Sequence, residues 1–161
     1  MRLAQGTATT STDRLLVALA HPSLEHAIAL FADELAREQR FFGTAAPKLS
    51  LSSLGSLTTH RGIRLGMMVE QRLIGMSLVE PDGSAFIAVA QHQRRRGVGR
   101  QLLHATIQRA ASHGHERVTF RSSWRSKAFV RLAESTGATV VDHGRGRVDV
   151  VFDGGALAVT P

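Results

Sequence analysis

The sequence predicts a single α/β domain with a mixed, mostly antiparallel sheet flanked by helices, and three observations carry that prediction. Apolar runs of strand length alternate with segments of helical period. Turn signals separate three consecutive strands in the middle of the chain. No repeat or linker divides the 161 residues, 43% of them hydrophobic, a length that one core can serve.

The elements follow in order. Residues 1–12 are small, polar and aperiodic and are expected to form a disordered end, the domain spanning 13–153 and a short tail 154–161. Arg14 to Ala20 reads as a first strand, and His21-Pro22-Ser23 breaks it and opens a helix. Leu24, Ile28, Phe31 and Leu35 share one face of that helix, which Phe41-Phe42-Gly43 ends; Leu49 to Thr59 suggests a short second helix. Arg64 to Glu70 and Leu73 to Glu80 form two strands around a tight turn, and Pro81-Asp82-Gly83-Ser84 is a strong turn signal. Ala85 to Ala90 is apolar on both sides and is expected to be central. Gly97 to His113 has helical period with Gly114 as its stop. Arg117 to Ser122 is a strand, and Ser126 to Thr136 a helix with Phe129, Leu132 and Ala133 inward. Thr139 to Asp142 and Arg147 to Phe152 close the domain as a hairpin.

Composition removes several kinds of chemistry. With no cysteine there is no disulfide, thiolate nucleophile or thiolate-bound metal. No apolar run reaches the roughly 20 residues of a membrane span, and no signal peptide is read at the amino terminus; a cytoplasmic protein is the expectation. The net charge of +7 rests almost wholly on arginine, since Lys48 and Lys127 are the lysines. Such a surplus favours an anionic partner without choosing among nucleic acid, a phosphorylated cofactor and an acidic protein surface.

Arg94-Arg95-Arg96-Gly97-Val98-Gly99-Arg100 joins the strand ending at Ala90 to the helix that follows. This arrangement puts successive backbone N–H groups and the positive end of a helix dipole around one concavity, suited to phosphate. Gly97 and Gly99 clear side chains from the approach, and the arginines add donors. A diphosphate suits this loop better than a single nucleic-acid phosphate; a solvated basic loop is the plainer alternative.

These residues carry a resemblance. Arg94-x-x-Gly97-x-Gly99 resembles the acetyl-CoA signature of the GNAT (GCN5-related N-acetyltransferase) superfamily, Arg/Gln-x-x-Gly-x-Gly/Ala, and Ser126 to Ala138 is similar to the family's second cofactor helix, Phe129 within it. Phe41-Phe42-Gly43 followed by Pro47-x-Leu49-Ser50 is loosely similar to bacterial protein lysine acetyltransferases of that superfamily. The resemblance implies a sheet whose fourth and fifth strands splay apart, with the pantetheine arm of acetyl-CoA in the gap. It implies backbone groups near Val89 and Ala90 holding that arm and its thioester. The N–H groups from Arg95 to Arg100, through Arg96, Gly97, Val98 and Gly99, would hold the pyrophosphate. Ser126 stands where the family often has an asparagine. An amine then attacks the thioester directly, with no acyl-enzyme and no metal.

Two positions depart from the pattern. Ser84 stands where the resembled lysine acetyltransferases place a glutamate, and Ala133 where many family members place a tyrosine; the chain has no tyrosine. Glu80, His92 and Ser84 are left as candidate proton-transfer groups, with Glu70 a further carboxylate at a strand end. His113, His115 and Glu116 flank a helix stop and read as surface residues rather than a metal site, and Trp124 as a cap on the core or a wall of the acceptor pocket. The leading expectation is an N-acetyltransferase for a primary amine, on a small molecule or on a protein lysine or amino terminus. The missing glutamate and tyrosine motivate a second reading, a catalytically weak acyl-CoA sensor or regulator. A nucleic-acid module ranks last, and the sequence leaves the oligomeric state open, a homodimer included.

Overall fold

The computed structural model describes residues 13–42, 62–123 and 127–154. The expectations for 1–12, for Leu49–Thr59, for Trp124 and Ser126, for the side chains of Phe41 and Phe42, and for the tail beyond 154 lie outside the described residues.

Seven strands form one sheet in the order β1-β2-β3-β4-β5-β7-β6. β1 (Leu15–Ala18) leads through a short turn of 3-10 helix at Pro22–Leu24 into α1 (Glu25–Phe42). At that entry the Ser23 N–H donates to the ring Nδ1 of His21 at 3.2 Å, so His21 supplies a helix cap in place of the usual hydroxyl or carboxylate. β2 (Ile63–Val69) and β3 (Arg72–Val79) form a hairpin whose two central residues, Glu70 and Gln71, both have positive φ, 48° and 66°. That is the backbone of a two-residue turn whose twist matches the strands. Met67 pairs with Gly75 and Met68 with Leu73, so Ile74 is an extra residue in β3. β4 (Ser84–Val89) completes the antiparallel meander, α2 (Val98–Ser112) follows, and β5 (Arg117–Ser123) returns parallel to β4. α3 (Lys127–Ser135), β6 (Thr139–Gly144) and β7 (Arg147–Asp153) finish the chain, with β7 inserted between β5 and β6.

The helices divide between the two faces of the sheet. α1 buries Ile28, Phe31, Ala32 and Leu35 with Leu73 and Met76 of β3 and Ala90 beyond β4. α2 and α3 bury Leu102, Leu103, Val130 and Ala133 against Val79, Phe120, Val148, Val150 and Phe152 on the other face. Phe120 anchors this second cluster, meeting Phe152 edge-on at 6.0 Å and Phe129 of α3 at 5.6 Å between ring centroids. Truncating such a buried phenylalanine to alanine costs about 3–5 kcal/mol. One polar contact crosses the same layer: Thr106 donates its hydroxyl to the Leu102 carbonyl at 2.6 Å and accepts from Ser77 of β3, also at 2.6 Å. This chain fixes α2 over β3 without leaving a buried hydroxyl unpartnered.

Every described element expected from the sequence is present, with two differences in burial. α3 turns Val130 and Ala133 fully inward, leaving Phe129 and Leu132 half-buried at its edge. β4 is central in the strand order, as its apolar run predicts, yet its residues from Ala85 to Val89 are only half-buried. The reason is its neighbour. β4 and β5 pair only at Ser84–Thr119 and Ala85–Phe120, and beyond Ala85 the ladder stops.

Candidate functional site

The gap between β4 and β5 is set by hydrogen bonding at the two ends of β4. At its start Ser84 gives its carbonyl to the Glu80 N–H at 2.8 Å, and at its end the Ala90 N–H donates to the Ile74 carbonyl at 2.8 Å. Both bonds face β3. Antiparallel pairing alternates, so Ala85, Ile87 and Val89 turn their backbone groups the other way, toward β5. β5 meets the first of these and has parted from the sheet by the last two. Ile87 and Val89 therefore present backbone to the gap. The Ala90 N–H is committed to β3, and the Val89 carbonyl accepts from the Arg94 side chain, whose Nε lies 3.0 Å away. Of the groups expected near the thioester, the Val89 N–H remains directed into the gap.

The chain then turns through Gln91–Gln93 and enters the arginine-glycine loop. Arg95 has φ 60° and Gly97 φ 80°, with Arg96 between them on the ordinary negative side. Alternation of this kind curls the main chain so that successive N–H groups converge. Gly97 is the N-cap of α2, which has no side-chain cap and no acidic residue in its first turn. Neither a side-chain cap nor a first-turn acid among the described residues meets the N–H groups at this helix start, although the helix dipole places roughly half a positive charge there. The side chains of Arg95, Arg96 and Arg100 stand exposed around it. This donor set fits a diphosphate. Gly99, the second residue of the helix, lies where α3 and β4 converge: a methyl there would meet Leu132 and Val89 at 3.8 and 3.7 Å.

One residue of this site escaped the sequence. Arg14, just before β1, sends Nη2 to the Arg96 carbonyl at 2.7 Å and Nη1 to Gln101 Oε1 at 3.1 Å. It braces the loop and the first turn of α2 from the far edge of the chain. No local pattern around Arg14 announces this, because its partners lie more than eighty residues away.

The candidate proton-transfer groups fall at opposite ends of β4. Ser84 and Glu80 sit at the paired end, where both the N–H and the hydroxyl of Ser84 donate to Asp82, at 2.9 and 2.6 Å. Those two bonds, the hydroxyl's first, hold the Asp82 carboxyl below its ordinary value. His92 sits at the open end, its Nδ1 3.0 Å from Glu34 of α1. Glu70 lies in the β2–β3 turn. Phe129 packs on Phe120, at the edge of the core beside α2. His113 turns its Nδ1 to the Arg109 carbonyl at the end of α2, and among the described residues no three His, Asp or Glu side chains gather as metal ligands do.

A split parallel pair beside a helix start with no side-chain cap defines a class of α/β protein whose sheet opens onto a loop of converging N–H groups. Residues 23–137 match the model of the acetyltransferase (GNAT) family, and the chain belongs to that family. No curated protein matches the chain in sequence. Solved structures share the fold at low identity. An acetyltransferase of the GNAT family from Streptococcus pneumoniae is 17% identical with a TM-score of 0.71, over 86% of this chain and 97% of that one. A phosphinothricin acetyltransferase from Sinorhizobium meliloti, solved in complex with acetyl-CoA, is 15% identical with a TM-score of 0.68, over 86% of this chain and 85% of that one. The ribosomal-protein-S18-alanine N-acetyltransferase of Escherichia coli is 18% identical with a TM-score of 0.65, over 86% and 91%.

Proposed function

We propose that the protein transfers an acetyl group from acetyl-CoA directly to a primary amine. The observation that carries this is the continuity of the site: a gap opening above Ala85 runs past the Val89 N–H into the uncapped N–H nest at Arg95–Gly97. An elongated ligand with a diphosphate at one end and a thioester at the other suits that path. The exposed arginines would hold the phosphates, the nest the diphosphate oxygens, and the Val89 N–H the thioester carbonyl. The absence of cysteine favours direct transfer over a thiol-bound acyl intermediate. Among the described residues no helix is long and apolar enough to cross a membrane, and the cytoplasm is the compartment this activity implies.

The acceptor is a primary amine on a small molecule or on a protein, as a lysine or an amino terminus. The neighbours in fold support that breadth, since one is named for phosphinothricin and another for a ribosomal protein's alanine. A second reading, an acyl-CoA sensor with little turnover, is favoured by one pair of observations: Ser84 is bound to Asp82 and Ala133 is buried, so neither family proton-transfer position carries an acid or base.

Calorimetry with acetyl-CoA, followed by release of free CoA thiol with L-lysine, spermidine and a peptide beginning in alanine, separates the readings. A chain without cysteine gives the thiol assay no background. Micromolar binding with amine-dependent thiol release is expected. Binding without release from any amine supports the sensor, and failure to bind overturns both.

A further inference from the structure

We propose that His92 is the general base that takes the proton from the acceptor's ammonium group, with Glu34 as its positioning residue. The proposal rests on the transfer reading above and adds the residue that performs its proton step.

Direct attack needs a neutral amine. A lysine-like amine of pKa about 10.4 reaches that state at neutral pH only at a cost of about 4–5 kcal/mol, so a base in contact with the nitrogen accelerates the reaction. That base must lie near the open end of β4 and on the correct face. The nest leads into α2, which packs on one face of the sheet. A ligand held there reaches its thioester through the gap, and the acceptor is left the opposite face, which α1 covers. His92 meets both conditions. It lies in the turn Gln91–Gln93, closed by the Gln93 N–H on the Ala90 carbonyl at 2.9 Å, and it is bonded to α1.

The pairing also assigns the ring's protons. A carboxylate only accepts, so the hydrogen between His92 Nδ1 and Glu34 Oε1 belongs to the histidine. Neutral His92 then carries its lone pair on Nε2, which makes no hydrogen bond among the described residues. Glu34 is partly shielded while His92 stands half-exposed, 29% against 49% for the side chains. The base is thus the more accessible of the pair. The titratable and charged residues on the elements around it are Glu25, His26, Asp33, Glu34, Arg37, Glu38 and Arg40 of α1 and Arg94, Arg95 and Arg96 of the following loop; β4, Ser84–Val89, has none.

The step balances as follows. Nε2 accepts one proton from the ammonium, and the freed lone pair forms the N–C bond to the thioester carbon. The C–S bond breaks with its electron pair on sulfur. The departing thiolate takes the second proton lost by nitrogen, and His92 returns its own to water. The net products are the amide, CoA thiol and one proton.

Three measurements test this on the full chain. First, long-range 15N spectra of the imidazoles in wild type and Glu34→Gln read the tautomer without any substrate. Wild-type His92 is expected with hydrogen on Nδ1, and the variant with hydrogen moved toward Nε2; a wild-type ring protonated on Nε2 overturns the proposal. Second, His92→Ala should lower kcat/KM for lysine or spermidine by about 10²–10⁴ at pH 7, with the Kd for acetyl-CoA unchanged. Its log rate should climb with unit slope toward the amine's own pKa near 10.4, whereas wild type levels off earlier. Third, hydroxylamine, which is largely uncharged at neutral pH, should be acetylated by both proteins at similar rates. Equal loss on hydroxylamine makes His92 structural and overturns the proposal, as does an unchanged rate on lysine. If wild type releases no thiol from any amine, the transfer reading fails instead, and the tautomer measurement alone decides whether the pair is built as a base.

Discussion

The two ends of β4 differ in how their backbone is held. At the first end Ser84 is bonded on every side: to Glu80 across the hairpin, to Asp82 through both its N–H and its hydroxyl, and in register with Thr119 of β5. The Thr119 N–H also reaches the Gly83 carbonyl at 2.9 Å, so the parallel pair is stitched at its base. At the second end β4 keeps only β3, and the chain leaves into a loop that opens α2 at Gly97 with no side-chain cap. The first end fixes where the gap begins; the second supplies what the gap presents. A split sheet needs both, because strands free at each end would close on one another and strands pinned at each end would leave no opening.

The largest expected effect on cofactor binding is at the open end and distinguishes two glycines that the sequence motif treats alike. Gly97 has φ 80°, with Arg14 Nη1 at 3.9 Å as the nearest atom to an added methyl; its constraint is conformation, not space. Gly99 lies inside α2 with ordinary contacts around a methyl. Gly97→Val forces a β-branched residue into the left-handed region, which would collapse the nest. It should weaken acetyl-CoA binding by about tenfold or more, since 1.4 kcal/mol is a factor of ten. Gly99→Ala should raise the melting temperature slightly, because alanine is favoured over glycine in a helix by about 0.5–1 kcal/mol. Calorimetric titration and a thermal melt on each variant check both halves. Equal loss of binding in the two would show that the loop works by open space and not by backbone curl.

That contrast also explains what was legible in the sequence. Arg94 to Gly99 could be read because every part of the nest lies within one short stretch, and backbone conformation answers to local residues. The hairpin turns, the stop at Gly114 and the inward face of α1 were legible for the same reason. The splay came from the family resemblance and not from the local pattern: the apolar run Ala85–Val89 reads as a strand buried on both sides, and its half-exposure follows from where β5 goes, thirty residues later. Nor could the sequence pair His92 with Glu34, 58 positions apart, since helix α1 reaches that turn only through the tertiary fold. Side-chain chemistry at this site is assembled from distant segments, and motif reading is blind to it.

Arg14 is the sharpest example and carries the next prediction. Its guanidinium joins the Arg96 carbonyl to Gln101, tying both sides of the Gly97 turn to the start of β1. Arg14→Lys keeps the charge but loses the fork that spans two acceptors. If the open end depends on this brace, the lysine variant should bind acetyl-CoA about three- to tenfold more weakly, on the scale of about 1 kcal/mol for a lost hydrogen bond. Gln101→Leu should reproduce part of that loss. An effect of Arg14→Gln that vanishes in high salt, with Arg14→Lys unaffected, would instead mark Arg14 as a general source of positive charge.

The smallest effect belongs to the closed end and appears in stability rather than binding. Ser84 holds the Asp82 carboxyl below its ordinary value, through its hydroxyl first and its N–H second. A carboxyl depressed in the folded state stabilises the fold above its unfolded value, near 3.9, and that contribution fades as pH falls through the lower folded value. Ser84→Ala removes the larger of the two donors, so the depression shrinks. The melting temperature of wild type should therefore exceed that of the variant modestly at pH 6, and the gap should narrow as the pH is lowered past about 4. Asp82 is fully exposed, so added salt should reduce only the small part of the effect that comes from Arg121, the hydrogen bonds being local. A gap that stays constant from pH 6 to pH 3 would mean that the Ser84 hydroxyl stabilises the turn without regard to the charge on Asp82. The stitching at the base of the gap would then be the work of the backbone bonds from Glu80, Ser84 and Thr119 alone.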